Sequence, residues 1–265
     1  MYEFKFDGFT KEQCDKYLER IHASWDGNAT LDNLNMLIHQ HQINVPFENL
    51  ALCMNFGTVD LSADALFDKI VTNNRGGFCF ELNGAFLLLL KGLGYDAVGC
   101  MARVGIPVIP DLLRLDHRGI IVRMEGKNFY VDVGMGGPKA DWAVDFDGGR
   151  QEKNGHAFWI EDTYEGWKMQ CCEGFSNEES AVIIFAPIAM LPMDFEANCE
   201  NLVARGDTMF HLERLVNRNT EDGYIDIRNN ILKICQNGKT SVREFEESEF
   251  AEILSKYFGI KYCDR

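Results

Sequence analysis

The chain has 265 residues, with 26 basic and 41 acidic side chains and a net charge of −15. This acidic balance argues against non-specific binding to nucleic acid or anionic membranes. Because the sequence contains no apolar run of membrane-spanning length and no basic-then-apolar leader at Met1, we expect a cytoplasmic protein with a large core.

The first third of the chain is predicted to be helical. Thr10 and Gln13 have the spacing of a capping box, and Ser62 is placed to cap a later helix. The apolar run at 85–90 indicates a buried helix that starts at Cys79 and stops at the glycines after position 91. The predicted helices are at 10–21, 31–41, 62–71 and 79–92.

Short β-like runs follow, and many short strands in succession are typical of a barrel or a sandwich. These runs lie at 97–104, 120–122, 129–133, 157–160 and 181–185. Gly126 and its neighbours predict a hairpin turn between two of them. Beyond position 207 we expect strands at 212–216 and 224–227, then an acidic amphipathic helix at 244–258 that Gly259 stops.

The stretch Arg75-Gly76-Gly77-Phe78-Cys79 is the main chemical signal. Two glycines allow a tight backbone path, and a cysteine at a helix N-terminus is favoured as a thiolate by the macrodipole and the free N–H groups. The same N–H groups can stabilise an oxyanion. His117 and Asp132 fall on two strand-like segments joined by a predicted hairpin, which can place them side by side.

A cysteine, a histidine and an aspartate together form a nucleophile, its proton acceptor and an orienting carboxylate. Such a trio is also easy to find by chance, as a core thiol, a polar strand histidine and a turn aspartate. The residue types alone therefore leave both interpretations open. The other eight of the nine cysteines have no activating neighbours and are expected to be reduced core thiols.

The flanking motifs resemble those of the arylamine N-acetyltransferase family, which acetylates aromatic amines and hydrazines with acetyl-CoA. Arg-Gly-Gly-x-Cys is followed four residues later by Asn83, and Pro-Phe-Glu-Asn-Leu stands at 46–50. His117 precedes an Asp-x-Gly-x-Gly element at 132–136, where the family usually has an aromatic residue at the position of Met135. Three motifs in the expected order make the resemblance specific.

The resemblance implies an α+β fold of three parts with a cysteine-protease/transglutaminase-like catalytic core. These are an N-terminal helical bundle at 1–95 with Cys79, a central β-barrel at 96–206 with His117 and Asp132, and a C-terminal α/β lid at 207–265. Cys79, His117 and Asp132 would be the catalytic residues.

The resemblance also implies roles for seven further residues. Glu48, Arg75 and Asn83 would form a charge-assisted structural network beneath the nucleophile. Phe47 and Met135 would line the acceptor pocket, although a core position is equally compatible with both. Gly136 and Thr208 would contact the CoA moiety.

The expected function is ping-pong transfer of an acetyl group from acetyl-CoA, through acetyl-Cys79, to a small-molecule arylamine or hydrazine, in the context of xenobiotic metabolism. One alternative is an amide synthase or hydrolase that uses the same three residues with a different acyl donor. Another is a binding module without catalysis. We expect no metal, because His39 and His41 lack the i, i+4 spacing of a helical ligand pair. We also expect no nucleic acid or membrane partner, and either a monomer or a homodimer.

Overall fold

The computed structural model describes residues 7–104, 114–137, 139–153, 155–164, 166–172 and 180–262. The elements before the main sheet are α1 Lys11–Arg20, α2 Leu31–Asn44, β1 Phe47–Glu48, α3 Leu50–Cys53, α4 Ala63–Phe67, a π-helical turn Asp68–Thr72 and α5 Cys79–Gly92. The four predicted helices are confirmed, and their caps form as expected. The Gln13 amide N–H donates to the Thr10 hydroxyl at 3.3 Å, and Ala65 N–H donates to the Ser62 hydroxyl at 3.4 Å.

The main sheet has eight antiparallel strands in the order β5-β4-β3-β2-β9-β8-β7-β6. Their bounds are β2 Asp96–Val104, β3 His117–Met124, β4 Lys127–Val131, β5 Val144–Asp145, β6 Gln151–Lys153, β7 His156–Thr163, β8 Gly166–Cys172 and β9 Ser180–Phe185. The Gln151 side chain joins the two edges, since its oxygen accepts from Asp145 N–H and its amide donates to the Asp145 carbonyl, both at 3.0 Å. The sheet is therefore a nearly closed barrel, and the predicted β-runs between 97 and 185 are confirmed.

The remaining elements form a second sheet and the helices around it. They are α6 Pro192–Arg205, α7 Met209–Leu212, β10 Leu215–Thr220, β11 Gly223–Arg228, β12 Ile231–Gln236, β13 Lys239–Glu244, a 3-10 turn Glu247–Glu249 and α8 Phe250–Phe258. The sheet order is β1-β10-β11-β12-β13, so a strand from the first third of the chain pairs with the C-terminal strands. The bounds predicted for the three parts stay a prediction, but this pairing shows that the first and last parts share a sheet.

Two predictions in the C-terminal region were wrong in their bounds. The helix expected at 244–258 begins at Phe250, because Glu244 pairs with Ile231 in the sheet and Glu249 accepts a hydrogen bond from Glu246 N–H at 2.9 Å. The strand expected at 212–216 begins at Leu215, since Leu212 still belongs to α7.

Helix α5 holds the helical region against the barrel. Phe86 and Leu89 of α5 are buried in one cluster with Ile120 and Val122 of β3. This packing fixes the N-terminus of α5 relative to the hairpin made by β3 and β4. Among the helices of the described residues, none combines the length and the apolar character needed to cross a membrane.

Candidate active site

Cys79 is the first residue of α5, and only 3% of its surface is exposed. The two preceding glycines let the chain pass very close to β1. A side chain on Gly76 would overlap the carbonyl oxygen of Pro46, and the Gly77 carbonyl accepts from Glu48 N–H at 2.9 Å. The tight backbone path predicted from Gly76 and Gly77 is therefore confirmed, and it ties the nucleophile's turn to the Phe47–Glu48 strand.

The first turn of α5 is also held by Glu81, which the sequence analysis did not assign. Its carboxylate accepts from Phe78 N–H at 3.2 Å and pairs with the Lys69 ammonium at 2.7 Å. Burial raises the pKa of Glu81, and the nearby Lys69 opposes that shift. A glutamate at the third helical position is a known N-terminal signal, so this contact was readable from the sequence.

The β3–β4 hairpin brings His117 and Asp132 together. His117 opens β3 and Asp132 directly follows β4, and the ring Nε2 lies 2.6 Å from a carboxylate oxygen of Asp132. Burial disfavours the imidazolium, but Asp132 and then Cys79 outweigh it and raise the pKa of His117 well above its ordinary value. The Cys79 thiol also reaches the carbonyl oxygen of Asp116 at 3.7 Å. The structure thus places the three predicted catalytic residues in one cluster.

The Asp132 carboxylate is held by four hydrogen-bond donors. Besides His117, it accepts from the Asn83 amide at 2.9 Å, from Gly134 N–H at 2.9 Å and from the Tyr130 hydroxyl at 3.2 Å. Burial acts to raise the pKa of Asp132, but His117 and the hydrogen bonds from Asn83 and Gly134 lower it overall. A carboxylate fixed in this way orients the imidazole and stays ionised.

Asn83 therefore has a different place from the one predicted. We expected it in one network with Glu48 and Arg75, but its amide donates to Asp132 and its carbonyl accepts from Val133 N–H at 2.9 Å. Asn83 lies one helical turn after Cys79, on the face of α5 that meets the hairpin, which is why it contacts the aspartate.

The other two members of the predicted network do pair. Arg75 donates to one Glu48 oxygen from Nε at 3.0 Å and from Nη2 at 2.6 Å, while the second oxygen accepts from Leu50 N–H at 2.9 Å. The Glu48 side chain is completely buried, and the Arg75 guanidinium stacks on the Phe56 ring at 3.9 Å. This pair fastens the Phe47–Glu48 strand to the residues before the nucleophile.

Packing accounts for Gly136, which was predicted to contact CoA, and for the nearby Gly134. A Cβ on Gly134 would lie 2.9 Å from the Cys79 Cα, and one on Gly136 would lie 3.1 Å from the Phe47 ring. Only glycine lets this loop approach the nucleophile so closely. The hydroxyl of Thr208, the other residue predicted to contact CoA, pairs with the His211 ring at 2.8 Å.

The predicted acceptor-pocket residues lie in different cores. Phe47 is in contact with Phe210, and Phe210 with Phe78, at ring-centroid distances of 6.4 and 6.3 Å. Met135 is buried in the barrel-interior cluster with Tyr130. Phe47, Phe78 and Phe210 therefore form an aromatic cluster within the buried core that also contains Cys79, and Phe78 and Phe210 were not predicted.

A cavity of about 270 Å³ has Asp116 in its lining, the residue whose carbonyl oxygen the Cys79 thiol contacts. Its lining includes Arg114 and Arg205. Burial raises the pKa of Asp116, while His117 and the two arginines counter that effect. A larger cavity of about 430 Å³ is lined by residues of α7 and by C-terminal residues such as Arg214 and Phe245, and its lining does not include the catalytic candidates Cys79, His117 and Asp132.

No group of three histidine, cysteine, aspartate or glutamate side chains is arranged to hold a metal ion within the described part of the chain. A family model described as N-acetyltransferase matches residues 30–263, nearly the whole chain, and its range includes every residue of this site. The chain belongs to the arylamine N-acetyltransferase family.

Individual arylamine N-acetyltransferases and one related enzyme resemble the chain to different extents. The arylamine N-acetyltransferase of Mycobacterium tuberculosis is 35% identical over 159 residues, which is 58% of this chain and 56% of that relative, so the alignment spans little more than half the relative's length. The structure of Mycobacterium marinum arylamine N-acetyltransferase in complex with CoA is 27% identical, with a TM-score of 0.85 over 93% of this chain and 92% of that one. Proansamycin X synthase of Amycolatopsis mediterranei is 26% identical over 251 residues, 91% of this chain and 95% of the relative.

Proposed function

We propose that this protein transfers an acetyl group from acetyl-CoA to an arylamine or hydrazine through an acetyl-Cys79 intermediate. The main observation behind this proposal is a buried cysteine at a helix N-terminus beside a His117–Asp132 pair joined at 2.6 Å. The cysteine-protease/transglutaminase-like core expected from the sequence stays a prediction. Family membership and a relative solved with CoA support the choice of donor.

In the first half-reaction the Cys79 sulfur attacks the thioester carbon after His117 has taken its proton. Because Nε2 of His117 is engaged by Asp132, the other ring nitrogen, Nδ1, receives that proton. The carbonyl oxygen becomes an oxyanion, which the N–H groups of the first turn of α5 stabilise. Collapse breaks the carbon–sulfur bond to CoA, and the imidazolium returns its proton to the leaving thiolate.

In the second half-reaction the amine nitrogen attacks the carbonyl carbon of acetyl-Cys79. His117 takes a proton from the amine, and the Cys79 thiolate leaves as the amide forms. Both half-reactions pass through an oxyanion at the same place, so one set of donors serves both. Asp132 keeps the imidazole in the required tautomer and stabilises its charged form throughout.

We further propose that the arginine-lined cavity beside Asp116 receives phosphate groups of the donor. Arg114 and Arg205 line this cavity together with Asp116, whose carbonyl oxygen lies 3.7 Å from the Cys79 sulfur, and in a chain of net charge −15 these two cations suit a polyanion. Gly136 and Thr208 stay candidates for contacts with the pantetheine arm. Replacement of Arg205 by Gln is expected to raise KM for acetyl-CoA with little change in KM for the amine.

For the acceptor, the partly exposed Phe210 ring, packed against the buried Phe47 and Phe78, is the candidate apolar contact for an aromatic ring. The role expected for Met135 in this pocket stays a prediction. The cytoplasmic location, a part in xenobiotic metabolism and the choice between monomer and homodimer also stay predictions.

A second candidate function is amide formation from an acyl donor other than acetyl-CoA. The similarity to proansamycin X synthase extends over 91% of the chain and favours this alternative specifically. The same Cys79, His117 and Asp132 would perform the chemistry, because an acyl-cysteine and its transfer to an amine are common to both functions. The two functions differ in the donor that acylates Cys79.

Two-substrate kinetics test the proposal. With acetyl-CoA and an arylamine varied together, the ping-pong route predicts parallel double-reciprocal lines, and intersecting lines would contradict it. The Cys79→Ala variant is expected to lose turnover, while Cys53→Ala, a partly buried thiol at the end of α3, serves as the matched control and should retain it. Turnover by Cys79→Ala at the native rate would eliminate this mechanism.

A further inference from the structure

Arg118 is a buried cation directly beneath the nucleophile's helix, and the mechanism described above does not use it. It follows His117 on β3, so the alternation of the strand turns its side chain away from the His117–Asp132 pair. Only 7% of its surface is exposed. Its Nη1 lies 3.5 Å from the carbonyl oxygen of Phe80, the residue after Cys79.

Among the residues that the structure describes, no carboxylate forms an ion pair with Arg118. Its guanidinium stacks on the Phe195 ring of α6 at 4.0 Å, and its buried Nε has no hydrogen-bond partner among the described residues. Burial lowers the pKa of Arg118 to about 10, and the thiols of Cys100, Cys79 and Cys199 counter that shift when ionised. Arg118 therefore stays charged at neutral pH. Burial raises the pKa of the Cys100 and Cys199 thiols, so those two stay neutral, and Cys79 is the thiol of the three that lies in the cluster with His117.

Helix α5 is shaped to admit this charge. Gly84 lies in the interior of the helix, where glycine is less favourable than alanine. A Cβ at Gly84 would lie 2.8 Å from Nη1 of Arg118 and 3.1 Å from a methyl carbon of Leu66. The glycine thus leaves room for the guanidinium against the helix. A solvent-exposed arginine would not need a glycine opposite it to make room for its guanidinium.

We propose that Arg118 is a positioning residue whose buried charge stabilises the Cys79 thiolate in its ion pair with His117. The inference rests on the proposed function insofar as Cys79 is the nucleophile. A single uncompensated cation beside the first turn of α5 favours a negative sulfur, and the same charge favours the oxyanion that forms next to it. Arg118 itself does not touch the reacting atoms.

Other ionisable groups also face this turn, and the test must separate Arg118 from them. The β3–β4 hairpin and the loop before it contribute His117, Asp132, Tyr130 and Asp116. Helix α5 contributes Glu81, which is paired with Lys69, and β2 and α6 contribute Cys100 and Cys199. Since the thiol and imidazole titrate together, the measured quantity is the midpoint of the pair.

The experiment is the pH dependence of Cys79 alkylation by iodoacetamide, read on the Cys79 peptide by mass spectrometry. In Arg118→Met the low-pH midpoint of the rate is expected to rise by about one pH unit, as removal of a close opposite charge requires. Arg118→Lys keeps the charge, so its midpoint should lie close to that of the native protein even though the stacking on Phe195 is lost. This pattern would not arise if Arg118 only held the helix in place.

Arg218→Met is the matched control. Arg218 is a half-buried arginine that donates to the carbonyl oxygens of Tyr257 and Ile43, both at 2.7 Å, so its loss should lower thermal stability without moving the alkylation midpoint. An unchanged midpoint in folded Arg118→Met would overturn the proposal and leave Arg118 a structural clamp. An equal shift in Arg118→Lys would overturn it as well.

If Arg118→Met does not fold, Gly84→Ala provides the same test, because the new Cβ displaces the guanidinium while keeping its charge. A raised midpoint in Gly84→Ala supports the proposal, and a native midpoint contradicts it. Alkylation needs neither acyl donor nor amine. A failure of the acetyl-transfer assay would therefore refute the proposed function without affecting this result, and the reverse also holds.

Discussion

The Glu48–Arg75 pair gives a stability prediction whose size follows from burial. The Glu48 side chain has no exposed surface, and Arg75 supplies two of its three hydrogen bonds. Arg75→Met leaves a buried carboxylate whose one remaining donor is Leu50 N–H. Breaking a buried pair from one side costs about 3–5 kcal/mol, so we expect the free energy of unfolding to fall by that amount.

The double variant Glu48→Gln/Arg75→Met separates the stranded charge from lost packing. With the carboxylate replaced by a neutral amide, the variant is expected to regain at least about 2 kcal/mol relative to Arg75→Met alone, because the burial penalty of an unpaired charge has been removed. The assay is urea unfolding followed by the fluorescence of the four tryptophans, with the free energy extrapolated to water.

The matched control is another arginine–glutamate pair with two contacts. Arg228 donates to the two oxygens of Glu213 at 2.6 and 3.0 Å, but the two side chains are 59% and 28% exposed. Arg228→Met is expected to cost less than about 1 kcal/mol. Equal losses in Arg75→Met and Arg228→Met would refute the reasoning, since burial would then not determine the cost of the lost partner.

Three further predictions concern the site and its surroundings. Gly134→Ala places a Cβ 2.9 Å from the Cys79 Cα. We expect kcat to fall about 10–100-fold, with KM for acetyl-CoA little changed, because the nucleophile is displaced. A native kcat would show that the loop can shift without displacing Cys79. Asp132→Asn is expected to lower kcat roughly 10³-fold by destabilising the His117 imidazolium, as measured in steady-state assays with circular dichroism as the folding control. The pKa of His39 is raised above 6.5 by its hydrogen bond to Asp141 and, more weakly, by Glu221, while burial opposes this shift. Protonated His39 therefore stabilises the fold fully below pH 6.5, and this stabilisation is lost as the pH rises through the raised pKa. The Tm difference between the native protein and His39→Gln should therefore be larger at pH 6 than at pH 9, and a pH-independent difference would contradict this sign.

Local signals predicted much of the helical region and the barrel strands. The capping contacts of Thr10 and Ser62 depend on residues three positions away, so they could be read directly from the chain. Gly126 also signalled the β3–β4 hairpin locally, although the turn lies at Glu125-Gly126, where both residues have positive φ, and Lys127 and Asn128, which were expected in the turn, already belong to β4. An equally local signal was overlooked at Asn237-Gly238, the turn between β12 and β13, and the predicted acidic helix was consequently too long.

Contacts between distant segments were beyond this kind of reasoning. The motif at Asn83 was recognised, but which partner its amide binds depends on how α5 lies against the hairpin 49 residues away. The pairing of β1 with β10 and the position of Arg118 under α5 likewise require the assembled structure. The flanking motifs therefore predicted that Cys79, His117 and Asp132 come together, while the supporting contacts emerged only in three dimensions.

The central claim is that Cys79 carries the acetyl group between donor and acceptor. It is tested most directly by the mass of the intact protein after brief exposure to acetyl-CoA without amine, followed by peptide mapping. The account predicts one acetyl adduct, located on Cys79, absent in Cys79→Ala and discharged when an arylamine or hydrazine is added. If Cys79 alkylates readily but gains no acetyl group, or if the adduct forms on another residue, the claim is contradicted, and the first of these results would favour a different acyl donor.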